Sequence, residues 1–280
     1  MKITIAKSAG FCFGVKRAID IALESAKSKN GAVYMLGDIV HNENVVKSIE
    51  RAGIKKVRNI PKAGSLLIRA HGGAKKIEEK AKSRQLDIID ATCPMVKEIH
   101  KIVSDMDKKG YKIIVIGDRR HDEVQGIVGQ IKDGAIVLEN MEDIEKKIPK
   151  GLDRAAVVVQ STQNFDKVLA MQKMLKWRVR DLEFYNTICS PTRLKQTEIK
   201  NLPENNDCVI VIGSRTSANT KRLYQIAKSI NKNSYWVTKA GDIRKEWLTG
   251  AQSVGITAGA STPDETIQEV KAYIQKIAPN

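Results

Sequence analysis

Short runs of β-branched and aliphatic residues alternate with longer segments of helical period along the whole chain, and this alternation restricts the fold more than any other feature. The runs fall at Ile3–Ala6, Val33–Leu36, Leu66–Arg69, Ile88–Asp90, Lys112–Ile116, Ile136–Leu138, Ala156–Gln160, Glu183–Tyr185, Cys208–Ile212, Tyr235–Val237 and Val254–Thr257. Between them the helical period is plain. Val15, Ala18, Ile19, Ala22, Leu23 and Ala26 share one face, with Lys16, Arg17, Asp20 and Glu24 on the other. Strands separated by helices cannot pair as tight hairpins, so the pattern predicts βαβ units and mostly parallel sheets, an α/β protein.

With 280 residues the chain can hold two or three domains of about 100 residues each. No low-complexity linker marks the joints. The expected division is 1–92, 93–188 and 189–280, set by two cysteine corners.

Those corners are the next constraint. In Asp90-Ala91-Thr92-Cys93-Pro94 a strand runs into a helix start, because Pro94 has helical φ and no N–H and suits the first helical position. Cys12, in Gly10-Phe11-Cys12-Phe13-Gly14, and Cys189, between the run Leu182 to Ile188 and Pro191, have comparable settings. A thiolate at such a place is stabilised by the helix dipole, as nucleophile or metal ligand. The spacings match no paired Cys-x-x-Cys zinc pattern. Three cysteine ligands without a fourth fit an iron-sulfur cluster with one open iron better than closed structural zinc. Cys208 lies inside an apolar run and reads as core.

Other strand ends are also polar. His41 follows Gly37-Asp38-Ile39-Val40, and His71 precedes Gly72-Gly73, where glycines permit close approach to a ligand. His121 and Glu123 follow Gly117-Asp118-Arg119-Arg120 and offer a proton donor and a proton-transfer carboxylate. Gln160-Ser161-Thr162 supplies hydroxyls. Ser217 and Asn219, with Ser261, sit in turns that suit a helix cap or a phosphate cradle. His100 lies on a helix with nothing around it to suggest a site.

The net charge of +16 fits nucleic acid, an anionic substrate or an acidic partner, but 5% aromatic residues leave little for base stacking. No nucleic-acid partner is expected. No apolar run approaches the roughly 20 residues that span a bilayer, and Met1-Lys2-Ile3-Thr4-Ile5 reads as a strand rather than an export signal, so a cytoplasmic location without membrane attachment is expected.

Seven motifs in order resemble those of the 4-hydroxy-3-methylbut-2-enyl diphosphate reductase family: Gly10-Phe11-Cys12-Phe13-Gly14-Val15, Ile39-Val40-His41-Asn42, Arg69-Ala70-His71-Gly72, Asp90-Ala91-Thr92-Cys93-Pro94, His121-Asp122-Glu123-Val124-Gln125-Gly126, Asn186-Thr187-Ile188-Cys189 and Thr257-Ala258-Gly259-Ala260-Ser261. The resemblance implies three α/β domains in pseudo-threefold arrangement around a 4Fe-4S cluster held by Cys12, Cys93 and Cys189. It also implies reductive removal of the substrate hydroxyl to give isopentenyl and dimethylallyl diphosphate, the last step of the methylerythritol phosphate route. Catalytic roles would fall to Glu123, Thr162 and His121, and substrate contacts to His41, His71, His121, Ser161, Thr162, Ser217, Asn219 and Ser261. An external electron donor such as ferredoxin or flavodoxin is implied. Three positions depart from the family pattern: Pro191 replaces alanine, Ala218 replaces the second serine of Ser-Ser-Asn, and Ser161 replaces a threonine.

Overall fold

The computed structural model describes residues 1–29 and 31–278. Its strands are β1 (Lys2–Ile5), β2 (Val33–Leu36), β3 (Lys55–Val57), β4 (Ser65–Ile68), β5 (Asp87–Asp90), β6 (Lys112–Ile116), β7 (Ile136–Leu138), β8 (Leu152–Val159), β9 (Val179–Phe184), β10 (Cys208–Ile212), β11 (Ser234–Val237) and β12 (Ser253–Ala258). Its α-helices are α1 (Phe13–Ser28), α2 (Glu43–Arg51), α3 (Lys75–Ser83), α4 (Pro94–Lys108), α5 (Asp122–Val128), α6 (Glu142–Lys147), α7 (Phe165–Lys176), α8 (Ser190–Asn201), α9 (Ala218–Ile230) and α10 (Asp264–Ile277). Among the described residues no helix is long and apolar enough to cross a membrane.

Among the described residues every strand pairing is parallel, and the strands form three four-stranded sheets, ordered β3-β2-β4-β5, β7-β6-β8-β9 and β11-β10-β12-β1. One connectivity recurs in all three. The first strand of each set pairs with the second on its outer side and the third on its inner side, and a fourth strand flanks the third. In the last sheet that fourth position is taken by β1, from the start of the chain. Lys2–Ile5, which the expected division 1–92 assigns to the first domain, pairs with Ser253–Ile256 of β12 rather than with any strand of the first third. The chain forms two compact units. One comprises Met1–Lys16, His41–Val45 and Ser190–Asn280; the other comprises Arg17–Val40 and Val46–Cys189.

Burial on both faces explains why the strands read as continuous apolar runs. In the β6/β8 sheet, Ile114, Ile116, Val157 and Val159 pack on one side with Met171 and Leu175 of α7. Ile113, Val115, Ala156 and Val158 pack on the other with Ile99 and Val103 of α4. In β10, Cys208, Ile210 and Ile212 share one face, and Val209 and Val211 the opposite one. β3, Lys-Lys-Val, carries no apolar run; it lies at a sheet edge with both lysines exposed, the composition that protects an edge from pairing with another chain.

Candidate active site

Each strand-end cysteine immediately precedes a helix: Cys12 before α1, Cys93 as the residue capping α4, and Cys189 before α8. Pro94 takes the first helical position, as its ring geometry predicts. Each cysteine also lies beyond the edge strand that flanks a third strand, β1 beside β12, β5 beside β4 and β9 beside β8. The backbone N–H of each donates to the loop leaving that neighbour: Cys12 to Ala260 O (3.1 Å), Cys93 to Ala70 O (3.0 Å) and Cys189 to Ser161 O (3.1 Å). Three unrelated stretches of sequence thus present a thiol at one and the same topological position. All three thiols are half-buried and no disulfide joins the cysteines. A thiol at a helix start suits metal ligation, because the helix dipole stabilises its thiolate. Cys208 stands apart. It is fully buried in β10, where desolvation, reinforced by Asp207, pushes its thiol up to about 12.

Ligands of open parallel sheets bind beyond the strand C-termini where neighbouring strands lead off in opposite directions. Here those points lie between β2 and β4, β6 and β8, and β10 and β12. The polar residues fall there in register. His41, His121 and Ser217 are each the fifth residue after β2, β6 and β10, and His71, Thr162 and Ser261 are each the third after β4, β8 and β12.

In the unit holding the β2–β5 and β6–β9 sheets, His71, His121, Glu123 and Ser161 come together. Glu123 is 1% exposed; its Oε1 accepts the Ser161 N–H at 2.6 Å and its Oε2 the Ser161 hydroxyl at 2.8 Å. Burial raises the Glu123 pKa above the ordinary carboxylate value, and the two Ser161 bonds oppose that rise. His121 caps α5, its Nδ1 accepting the Glu123 N–H at 3.1 Å, which leaves Nε2 to carry the proton of the neutral ring and donate it outward. His71 meets His121 edge-on, with ring centroids 5.5 Å apart. Thr162 accepts from Gln160 Nε2 at 3.1 Å, so of the two neighbouring hydroxyls the one bonded to Glu123 belongs to Ser161. His100 packs behind the His71 loop. A Cβ on Gly72 would lie 2.7 Å from its ring, and burial lowers its pKa to about 4, so the ring is neutral.

In the other unit, Ser217 caps α9 by accepting the Thr220 N–H at 3.3 Å, and the Ser261 hydroxyl donates to the His41 carbonyl at 2.9 Å. Asn219 is 3% exposed, yet neither its amide oxygen nor its amide nitrogen has a hydrogen-bond partner among the described residues. Buried amides are rarely left so, and this one points to a polar ligand. The strand ends close tightly on Thr220: a Cβ on Gly213 or Gly259 would lie 2.4 or 2.0 Å from its Oγ1. Of the departures noted above, Pro191 falls in the first turn of α8, where its missing N–H costs nothing, and Ala218 opens α9 nearly buried.

Two further buried polar residues hold strand-end loops in place. Gln160 is fully buried and its Oε1 accepts the Asp118 N–H at 2.8 Å, bridging the loops after β6 and β8. Lys195, 2% exposed, donates to the carbonyls of Ser8, Gly10 (2.9 Å) and Ala258 (3.3 Å). Its helical face, shared with Thr192, Gln196 and Ile199, is mostly polar, so no apolar period marks it as buried.

The model of the LytB protein family matches residues 3–275. The 4-hydroxy-3-methylbut-2-enyl diphosphate reductase of Aquifex aeolicus is 39% identical over 280 residues, covering 98% of this chain and 96% of its own length. That of Clostridioides difficile is 38% identical, covering 99% and 100%. A solved structure of (E)-4-hydroxy-3-methyl-but-2-enyl diphosphate reductase, the terminal enzyme of the non-mevalonate pathway, is 39% identical and aligns over 99% of this chain and 100% of that one with a TM-score of 0.71. The Plasmodium falciparum reductase structure, 30% identical, aligns over 98% and 87% with a TM-score of 0.90. With its motifs, three parallel sheets and end-to-end similarity all in agreement, the chain belongs to the LytB family of 4-hydroxy-3-methylbut-2-enyl diphosphate reductases.

Proposed function

We propose that Cys12, Cys93 and Cys189 hold a 4Fe-4S cluster with one iron lacking a protein ligand. With it the chain turns 4-hydroxy-3-methylbut-2-enyl diphosphate, two electrons and two protons into isopentenyl or dimethylallyl diphosphate and water. The observation that carries this reading is the matched placement of the three cysteines, each before a helix and each with its N–H bonded to the neighbouring strand-end loop. When bound, the cluster supplies the electrons for reductive loss of the allylic hydroxyl. The chain's own residues bind, orient and protonate.

The diphosphate is held by His41, His71, His121, Ser217, Asn219 and Ser261. The buried, unsatisfied amide of Asn219 on the first turn of α9 supports this, since an anion there meets both the amide N–H and the helix N-terminus. Hydroxide is a poor leaving group, so the hydroxyl must be protonated as it departs. Glu123 is suited to the task, because its burial favours the protonated carboxyl and Ser161 fixes both its oxygens. Thr162, at the equivalent of His71 and Ser261, faces the substrate hydroxyl. Electrons come from a small acidic redox protein, a ferredoxin or flavodoxin, for which the +16 charge provides attraction, and the reaction takes place in the cytoplasm.

Anaerobic purification tests the reading. The expected product is a brown protein containing iron and acid-labile sulfide, which consumes the substrate when given a low-potential reductant. A colourless protein that takes up no iron and sulfide on reconstitution, or that binds zinc instead, would refute it.

A further inference from the structure

The three cysteine helices share a pattern that breaks at one position. Six residues after Cys12 and Cys93 come Ala18 and Ile99, 0% and 1% exposed, both ordinary core. Six residues after Cys189 comes Lys195, as deeply buried as they are. A buried ammonium is costly unless fully hydrogen-bonded, so an apolar residue would serve packing better. The lysine is instead committed to the loop that presents Cys12: its Nζ donates to the carbonyls of Ser8 and Gly10 in that loop and of Ala258 at the end of β12. One turn further along α8, Glu198 accepts from the Ser8 N–H at 2.9 Å and from the Ser8 hydroxyl. Helix α8, which begins directly after Cys189, therefore grips the Cys12 loop through Lys195 and Glu198.

α1 offers a partial parallel: Arg17, on the helix that follows Cys12, donates to the carbonyl of Thr92, the residue before Cys93, at 3.1 Å. A cation on one cysteine's helix thus secures the approach to another cysteine.

We propose that Lys195 is a positioning residue for the cluster. It fixes the Cys12 loop through three carbonyls, and its buried charge favours the anionic thiolate and the more negative, reduced state of the cluster. Glu198 completes the grip with a charge of opposite sign. The inference rests on the cluster reading given above.

The test uses full-length protein, purified anaerobically, in three variants: Lys195→Met, which keeps the stem and removes the charge; Lys195→Arg, which keeps the charge; and Glu198→Gln. Iron and sulfide per chain, the first-order rate of cluster loss to a chelator, and the cluster's midpoint potential are measured for each. Lys195→Met should lose the cluster about tenfold faster or more and shift the midpoint to more negative potential. Lys195→Arg should restore the wild-type midpoint. Glu198→Gln should lose the cluster faster while moving the midpoint the opposite way, a sign reversal that a purely structural role does not produce. Should Lys195→Met fail to fold, Glu198→Gln decides on the same criteria. Wild-type loss rates and midpoints in Lys195→Met or, where that variant does not fold, in Glu198→Gln would overturn the inference while leaving the cluster intact. Absence of iron and sulfide from the wild type would instead overturn the reading beneath it.

Discussion

Replacing Glu123 by Gln separates the chemistry of this carboxyl from its place in the fold. The side chain keeps its volume, and its amide oxygen still accepts the Ser161 N–H that Oε1 accepts at 2.6 Å. The amide nitrogen cannot accept the Ser161 hydroxyl as Oε2 does at 2.8 Å, but that hydroxyl can rotate and accept from the amide, so the local structural change is worth no more than about 1 kcal/mol. The pH dependence has a definite sign. Because burial raises the folded pKa above 4.5, the carboxyl's contribution to stability is fully present below the unfolded value and is lost as pH rises through the folded value. Glu123→Gln should therefore match the wild type in acid and equal or exceed it at neutral and alkaline pH. Turnover should behave otherwise. Loss of a positioned acid slows a reaction by about 10²–10⁴-fold, equivalent to roughly 3–5 kcal/mol of transition-state stabilisation. The assay is anaerobic single-substrate turnover normalised to iron content, with chemical denaturation at several pH values alongside. Near-normal turnover with a full cluster would refute the assignment of Glu123 as proton donor.

Asn219→Leu should raise KM about ten- to hundredfold, the loss of one charge-assisted hydrogen bond, while the ligand-free protein becomes no less stable because an unsatisfied amide is removed; steady-state kinetics and thermal unfolding check both halves. Gly259→Ala should destabilise by about 1–3 kcal/mol, since its Cβ would lie 2.0 Å from Thr220 Oγ1, and urea titration reads the change. The wild type should lose stability as pH falls from 6.5 towards about 4, where the unfolded chain protonates His100 and the folded one resists; in unfolding titrations His100→Phe should lose less over that window.

The turns that carry the candidate site are legible in the sequence because short turns obey strong local rules. Thr92-Cys93-Pro94 announces a strand end and a helix start through proline geometry, and the helix begins there. Apolar runs marked the doubly buried strands for a similar reason, as β10 and β6 are covered on both faces. Other features depend on distant residues and leave no local trace. Nothing in Lys2–Ile5 says that it pairs with β12, some 250 residues on, because a parallel partner is chosen by topology rather than by neighbouring sequence. β3 was hidden by its lysines. The identity of the hydroxyl on Glu123 depended on backbone direction at Ser161, which the tripeptide Gln160-Ser161-Thr162 does not reveal. Lys195 looks like any surface lysine until Ser8, Gly10 and Ala258 surround it.

The central claim is that three corners, and not the fourth cysteine, hold iron. Iron and acid-labile sulfide per chain, measured after anaerobic reconstitution of Cys12→Ser, Cys93→Ser, Cys189→Ser and Cys208→Ser, test it most directly. The account predicts that each of the first three binds far less than the wild type or loses it rapidly, whereas the Cys208 variant retains a full complement, its thiol being a buried core group pushed up to about 12. A Cys93 variant that keeps a complete, stable cluster, or a Cys208 variant that loses iron as fully as the Cys93 variant, would contradict it.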